Sequence, residues 1–158
     1  LNQAVYSQRD AIFRGAEFQT QIDVAPLWRG LWGVDGQYDI VRATFTDGSN
    51  VPRIPPQRLG GGVYYRANNW FLRVGLLHAV PQNDVTEFET TTADYNLLKA
   101  EISYSSKLPS DPTGLTQLKL GITGDNLLNE DVRFAQSFKK DEVLQPGRTV
   151  KVFANLKF

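Results

Sequence analysis

The sequence from Gly147 to Phe158 reads GRTVKVFANLKF, and it decides the fold. Apolar side chains alternate with polar ones along this stretch, with Phe153 as the exception. Because successive side chains of a β-strand point to opposite faces, the alternation predicts a strand with one apolar and one polar face. A strand of about ten residues with this pattern is typical of a membrane β-barrel wall or of the edge of a soluble sheet. The apolar set is Val150, Val152, Ala154, Leu156 and Phe158.

The same two-residue period recurs in six earlier segments of the chain. Prolines and glycines separate these segments, and Ala25-Pro26-Leu27 predicts a short turn because proline interrupts a strand ladder. The sequence therefore predicts an all-β fold, an antiparallel up-and-down meander of about seven strands with almost no helix. The six segments are Phe13–Val24, Arg29–Phe45, Arg58–Arg66, Trp70–Ala79, Tyr95–Ser105 and Thr116–Asp125.

The predicted connections differ in length in a regular way. Short connections at 25–28 and 67–69 and a medium one at 106–114 fall at one end of the sheet. Long loops at 46–57, 81–92 and 126–146 fall at the other end. This asymmetry is typical of outer-membrane barrels, which have short periplasmic turns and long extracellular loops. The pattern thus predicts part of a transmembrane β-barrel.

Six aromatic residues gather where the predicted strands meet the short turns, and all share the parity of the apolar face. Amphipathic rings favour the headgroup region of a bilayer, so the arrangement predicts an aromatic belt at one membrane surface. The other interpretation is that these are ordinary core aromatics close to strand ends. The six are Trp28, Trp32, Tyr65, Trp70, Tyr104 and Phe158.

Charged side chains of both signs fall on the opposite parity, which predicts a polar face lining a wet lumen. A Lys or Arg facing lipid at mid-depth would cost about 2–4 kcal/mol, so the lumen is the favourable side. If Ser103 faces Gln117, Glu101 faces Lys119 as a cross-strand pair of opposite charge. The predicted lumen-facing residues are Glu17, Asp23, Asp35, Asp39, Arg66, Arg73, Lys99, Glu101, Lys119 and Lys151.

The composition excludes several functional classes. The 158 residues carry 17 Lys+Arg and 17 Asp+Glu, so no basic field attracts nucleic acid, and no nucleic-acid partner is expected. The absence of cysteine excludes disulfides and cysteine metal sites. No apolar run reaches the roughly 18 residues of a transmembrane helix.

The residues do not compose a catalytic constellation. His78 is the single histidine, and its place near the rim of the sheet favours a structural role over a catalytic or metal-binding one. Gly60-Gly61-Gly62 has no following Lys-Ser/Thr, so it is not a phosphate loop and indicates close backbone approach instead. We therefore expect no enzymatic activity and no cofactor.

Several short motifs of this sequence resemble the C-terminal end of TonB-dependent outer-membrane receptors, and they occur in the same order as in those receptors. The resemblance spans roughly residues 10–158, and it is most similar to the branch that includes zinc and haem uptake receptors. The order of the motifs carries the resemblance more than any one of them. The motifs are PRIPPQRLG at 52–60, GDNLLNEDVR at 124–133, SFKKD at 137–141, PGR at 146–148 and the terminal Phe158.

The resemblance implies a barrel of about 22 strands with a plugged lumen. Residues 1–158 would be its C-terminal part, and the N-terminal plug and the earlier strands would lie outside this sequence. The implied location is the bacterial outer membrane, and the implied function is uptake of a metal, a siderophore or other metal chelate, or a similar nutrient. The implied partners are outer-membrane lipid, the rest of the barrel and its plug, TonB acting through the plug, and the barrel assembly machinery. That machinery would read an insertion signal at Val150, Val152, Ala154, Leu156 and Phe158.

Two other architectures fit the alternation. One is a soluble binding module of lipocalin type with an apolar interior. The other is a small outer-membrane barrel. Two charged loop segments are expected to be solvated. The second interpretation is attraction of a cation to the pore mouth for the acidic one, and contact with lipopolysaccharide for the one that contains two lysines. The two segments are the acidic set Asp84, Glu87, Glu89 and Asp94, and the cluster Lys139-Lys140-Asp141-Glu142.

Overall fold

A computed structural model of the chain describes residues 8–108 and 116–157. Its strands form one sheet in which each strand is hydrogen-bonded to the next along the chain. All six pairings are antiparallel. The strands are β1 (Ala11–Leu27), β2 (Gly30–Phe45), β3 (Arg58–Ala67), β4 (Trp70–Ala79), β5 (Tyr95–Lys107), β6 (Gln117–Asp125) and β7 (Thr149–Lys157).

This architecture confirms the predicted all-β, up-and-down meander of seven strands. The alternation of side chains located most strand ends to within two residues, because it ceases where the chain leaves the sheet. No helix long and apolar enough to cross a membrane occurs in residues 8–108 or 116–157. Three long loops follow β2, β4 and β6, at 46–57, 80–94 and 126–148.

The predicted turn at Ala25-Pro26-Leu27 is wrong. β1 continues through these residues, with Ala25 opposite Trp32 and Pro26 opposite Leu31. A bulge between Asp23 and Ala25 shifts the register, and proline is tolerated beside a bulge or on an outer strand. The reversal instead occurs at Trp28 and Arg29, where Trp28 has a positive φ of 51°.

The predicted register of β5 and β6 is also wrong, by four residues. Ser103 lies opposite Gly121, and Glu101 lies opposite Thr123. A shift by an even number of residues leaves every side chain on the same face, so the hydrophobic pattern cannot select between the two registers. The predicted ion pair nevertheless forms diagonally, with 3.2 Å between Lys119 Nζ and Glu101 Oε1.

The two faces of the sheet differ in crowding. Apolar side chains on one face are exposed, and Val150 and Val152 are 64% and 79% accessible. Side chains on the polar face crowd together, and Tyr64 and Ser103 are each only 2% accessible. A small apolar core of Ala79, Tyr95 and Val132 lies under the third long loop, with Leu97 packed against it. Most large apolar side chains of the sheet therefore lie outside any core in the described ranges.

Candidate membrane-facing surface and polar face

The outward apolar face is continuous across all seven strands. One row of directly opposed residues crosses it from Ile22 in β1 to Val150 in β7. Among the described strand residues on this face, the only Asp, Glu, Lys or Arg side chains are Arg14 and Arg42, which face each other near the long-loop end. The row contains Ile22, Val34, Val63, Val74, Ala100, Gly124 and Val150.

Five of the six predicted belt aromatics lie at the short-turn end of this face. Trp32 is directly opposite Tyr65, whose hydroxyl donates a 3.1 Å hydrogen bond to the Leu27 carbonyl. Trp28 lies in the turn, is 90% accessible and packs edge-on against Tyr65 at 6.4 Å between ring centroids. Phe158 lies outside the described residues. A role at a membrane interface stays a prediction for all six.

Trp70 and Tyr104 form the second aromatic contact at this end. Their ring centroids are 5.0 Å apart in an edge-to-face arrangement, and the two residues are directly opposed between β4 and β5. The Asn69 side-chain amide donates a 3.1 Å hydrogen bond to the Tyr104 hydroxyl. Tyr104 thus has an apolar ring against the sheet and a hydrogen-bonded hydroxyl at the end of the sheet. Amphipathic rings of this kind suit a bilayer interface.

The described residues of the predicted insertion signal share the apolar face of β7. They pair with β6 in the order Val150 with Gly124, Val152 with Ile122, Ala154 with Leu120 and Leu156 with Leu118. Their recognition by an assembly machinery stays a prediction, and Phe158 again lies outside the described ranges.

The polar face of β1–β4 carries a network of arginines and carboxylates. Arg73 in β4 reaches across β3 to Asp35 in β2, with 2.7 Å between Nε and Oδ2 and a second bond through Nη2. Such two-pronged guanidinium–carboxylate pairs are strong and fix geometry. Asp23 accepts hydrogen bonds from both Arg66 and the Tyr64 hydroxyl.

Smaller groups complete this face. Arg58 Nε donates to Asp39 at 2.9 Å. Asp125 contacts two lysines, at 3.4 Å from Lys99 Nζ and 3.1 Å from Lys151 Nζ. Glu17 lies directly opposite Asp39 and has no basic partner within 4.0 Å among the described residues.

Arg58, Tyr64 and Asp125 belong to this network, although they are not among the ten residues predicted to face the lumen. Arg58 and Tyr64 have the parity of the polar face, and that parity is the signal that could have found them. The ten predicted lumen residues all have the polar parity in the described strands, but the structure leaves the lumen itself a prediction.

Glycines make the long reach of Arg73 and the burial of Tyr64 possible. A Cβ on Gly62 or Gly75 would come within 2.9 or 2.8 Å of the Arg73 guanidinium. A Cβ on Gly33 would overlap the Tyr64 phenol. These glycines leave room for the large polar side chains of Arg73 and Tyr64. At Gly62, which belongs to the Gly60-Gly61-Gly62 segment, a Cβ would also come within 2.8 Å of the Val74 carbonyl oxygen, so the predicted close backbone approach occurs there.

The three long loops are tied to one another at the other end of the sheet. Lys140 of the third loop, with a side chain only 6% accessible, contacts Glu89 of the second loop at 3.2 Å. Glu89 also accepts a hydrogen bond from the Arg53 amide of the first loop at 3.1 Å. The expectation that Lys140 and Glu89 are solvated is therefore wrong, because each is a partner for the other in a buried contact.

Further contacts strengthen this loop assembly. The Arg53 guanidinium lies 3.4 Å from the Phe138 ring centroid, and Thr90 Oγ1 donates to Asp141 at 2.6 Å. The loops consequently form a connected structure instead of three independent segments.

The first loop also has internal polar contacts. Hydrogen bonds from Ser49 and the nearby Arg9 hold the pKa of Asp47 below its usual range.

The described residues offer little metal-binding chemistry. No group of three or more His, Cys, Asp and Glu side chains that could hold a metal ion occurs in residues 8–108 and 116–157. His78 Nδ1 lies 3.0 Å from Asn96 Oδ1, directly across from it in β5, near the long-loop end of the apolar face.

A solved structure described as "Copper transporter OprC" resembles this sheet, with a TM-score of 0.73 and 20% sequence identity. The match covers 94% of this chain and 24% of the transporter, so the chain spans about a quarter of that protein's length. The sheet therefore has the fold of a part of that transporter. No family model matches the chain. No curated protein matches it either.

Proposed function

We propose that this chain is the C-terminal barrel portion of a TonB-dependent outer-membrane receptor that takes up a metal, a metal chelate or a similar nutrient. The observation that carries the proposal is the apolar face that crosses seven strands, carries charge at Arg14 and Arg42 alone among the described strand residues, and ends in aromatic side chains at the short-turn end. Soluble proteins rarely expose an apolar surface of this extent, whereas a barrel wall turns it to lipid.

The height of the apolar face supports a bilayer. On β2, Arg42 lies ten positions beyond Trp32, and on β4, His78 lies eight positions beyond Trp70. A rise of about 3.3 Å per residue along strands tilted by about 40° gives a band roughly 20–25 Å tall. An outer-membrane barrel has an apolar band about 25 Å tall.

Both boundaries of the band move in the same direction from strand to strand. A row here is a set of residues directly opposed across the strands. The aromatic residue that ends the band is Trp32 on β2 and Trp70 on β4, and Trp70 lies two rows closer to the short turns than Trp32 does. The polar residue at the other end of the band is Arg42 on β2 and His78 on β4, and His78 lies four rows closer to the short turns than Arg42 does. Strands that are tilted in a membrane have this offset, because rows of hydrogen-bonded residues then lie oblique to the bilayer plane.

The finer parts of the proposal rest on the resemblance and on the polar face. The plug would contact the network of Asp23, Asp35 and Arg73, and TonB would act through the plug. The edges of β1 and β7 would pair with further strands of the barrel, since open edges are not tolerated in hydrocarbon. The similar solved structure is described as a copper transporter, which makes copper the first substrate to test.

The lipocalin-type alternative is weaker because it needs the apolar residues in a closed interior. Val150, Val152, Ile102 and Leu156 are all at least 40% accessible. A small complete barrel would need β1 to pair with β7, and each of them has a single neighbour in the described sheet.

The test is a deletion of the gene that encodes this chain, followed by metal accumulation measurements under metal limitation. We expect the protein in the outer-membrane fraction and a severalfold loss of accumulation for one substrate among copper, zinc, iron chelates and haem. A strain lacking TonB should lose the same accumulation. A protein found in a soluble fraction would contradict the proposal, and unchanged accumulation of all four substrates would contradict the part of it that names a metal or metal chelate.

A further inference from the structure

Arg14 and Arg42 break the pattern of the apolar face. Both have the parity of Phe18, Val34 and the other outward residues, and they lie directly opposite each other in β1 and β2. Like charges in direct opposition destabilise a sheet, so neighbouring arginines at these positions call for a compensating anion.

The protein supplies little of that anion in the described residues. Arg42 Nε lies 3.5 Å from Asp84 Oδ2, a contact in which both side chains are about half accessible. Arg14 is exposed and has no carboxylate within 4.0 Å among residues 8–108 and 116–157. One half-exposed carboxylate, which contacts Arg42 alone, therefore accompanies two guanidinium groups, and the pair keeps a net positive charge.

The position of the pair identifies the chemistry that would complete it. On the membrane-spanning reading of the proposed function, Arg14 and Arg42 lie on the lipid side, one full apolar band away from Trp32. That level is the headgroup region at the long-loop surface of the bilayer. Arginine binds phosphate through its planar fork of donors, and two opposed arginines offer two such forks.

We infer that Arg14 and Arg42 form a binding site for the phosphate of a lipid headgroup in the leaflet on the long-loop side. The apolar side chains Ala16 and Ile40, which lie directly opposite each other on the band side of the two arginines, would contact the acyl chains of the same lipid. This inference rests on the proposed function. It also moves lipid contact away from Lys140, since the Lys140 ammonium is already held within the loops.

The test uses the protein as its gene encodes it, purified in a non-ionic detergent, with lipid binding followed by native mass spectrometry. The probes are dioleoylphosphatidic acid and dioleoylglycerol, which have the same chains with and without a phosphate. We expect preferential binding of phosphatidic acid and an about tenfold weaker affinity in the double variant Arg14→Gln/Arg42→Gln. The matched control Arg29→Gln/Arg148→Gln removes two exposed arginines elsewhere and should bind as the wild type does.

Two outcomes would overturn the inference. In one, the double variant binds phosphatidic acid as tightly as the wild type. In the other, inorganic phosphate displaces the lipid as efficiently as phosphatidic acid does, which would make the site one for free phosphate. Insertion of the same samples into liposomes is measured in parallel. Failure of the wild type to insert would contradict the proposed function, whereas insertion without selective lipid binding would contradict this inference alone.

Discussion

At the scale of single residues, the polar face depends on where side chains are missing. Arg73 and Tyr64 lie flat over glycines of neighbouring strands and reach carboxylates two strands away. A glycine in a strand interior weakens the strand. At these positions the glycines also make room for a network of charge-assisted hydrogen bonds, which stabilises the sheet. The network in turn fixes which side chains a lumen would present.

Gly33→Ala tests this arrangement. The added methyl group would overlap the Tyr64 phenol and come within 2.5 Å of the Ile22 carbonyl oxygen. We expect the free energy of unfolding in lipid or detergent to fall by roughly 1–3 kcal/mol, as in other overpacked sites. Gly36→Ala in the same strand is the control, because its nearest neighbour would be 3.6 Å away. Equal effects of the two substitutions would contradict the account.

At the scale of elements, each strand of the proposed barrel would separate lipid on one face from water on the other. Phe18 in β1 faces outward midway between the two boundaries of the apolar band, and Gln19 beside it faces the polar side. Within the apolar band, a charged side chain should therefore be tolerated on the polar face of β1 and should be unfavourable on its apolar face.

Lysine substitutions at these adjacent positions should have very different effects. Phe18→Lys places a charge in the lipid layer and should lower the free energy of unfolding from a bilayer by about 2–4 kcal/mol. Gln19→Lys places the same charge on the wet face and should change it by less than about 0.5 kcal/mol. Denaturant titrations in liposomes measure both values. A larger loss for Gln19→Lys would mean that the faces are assigned the wrong way round.

The long loops are elements too, and Lys140 joins two of them. Lys140→Met removes the ammonium group from Glu89 and the Thr90 carbonyl while keeping the aliphatic stem. Leaving a buried carboxylate unpaired is unfavourable, so the second loop should open more often. Hydrogen exchange of the amides in residues 85–92 should become faster by about tenfold or more, since a loss of 1.4 kcal/mol is a factor of ten.

Lys139→Met provides the control for this loop prediction. Lys139 is the exposed neighbour of Lys140 in the same loop, and the substitution removes the same charge. Exchange in residues 85–92 should stay at the wild-type rate in this variant. Unchanged exchange in Lys140→Met would show that the ion pair does not hold the loops together.

The sequence predicted the strands well because alternation is a local property. Parity assigned residues such as Val152 and Lys151 to opposite faces without knowledge of the partner strand. Alternation could not reveal that β1 extends through Pro26, because the bulge between Asp23 and Ala25 interrupts the alternation while the strand continues. It could not select the register opposite Ser103 either, since even shifts preserve the faces. The burial of Lys140 depends on contacts between distant loops, and no local pattern records such contacts.

At the scale of the whole molecule, the central claim is that even-numbered residues of β7 face lipid and odd-numbered residues face water. The chain contains no cysteine, so single cysteines at positions 149 to 157 can carry spin labels without competing sites within it. The decisive measurement is the accessibility of these labels to oxygen and to a water-soluble nickel chelate, in the protein as its gene encodes it, reconstituted in liposomes.

We expect a period of two, with labels at 150, 152, 154 and 156 accessible to oxygen and those at 151, 153 and 155 accessible to nickel. Substitution at Thr149 and Lys157 should give intermediate values because both residues lie at strand ends. Labels at 150, 152, 154 and 156 that are shielded from both reagents would mean that this face packs inside the protein. That result would contradict the membrane-facing surface on which the account depends.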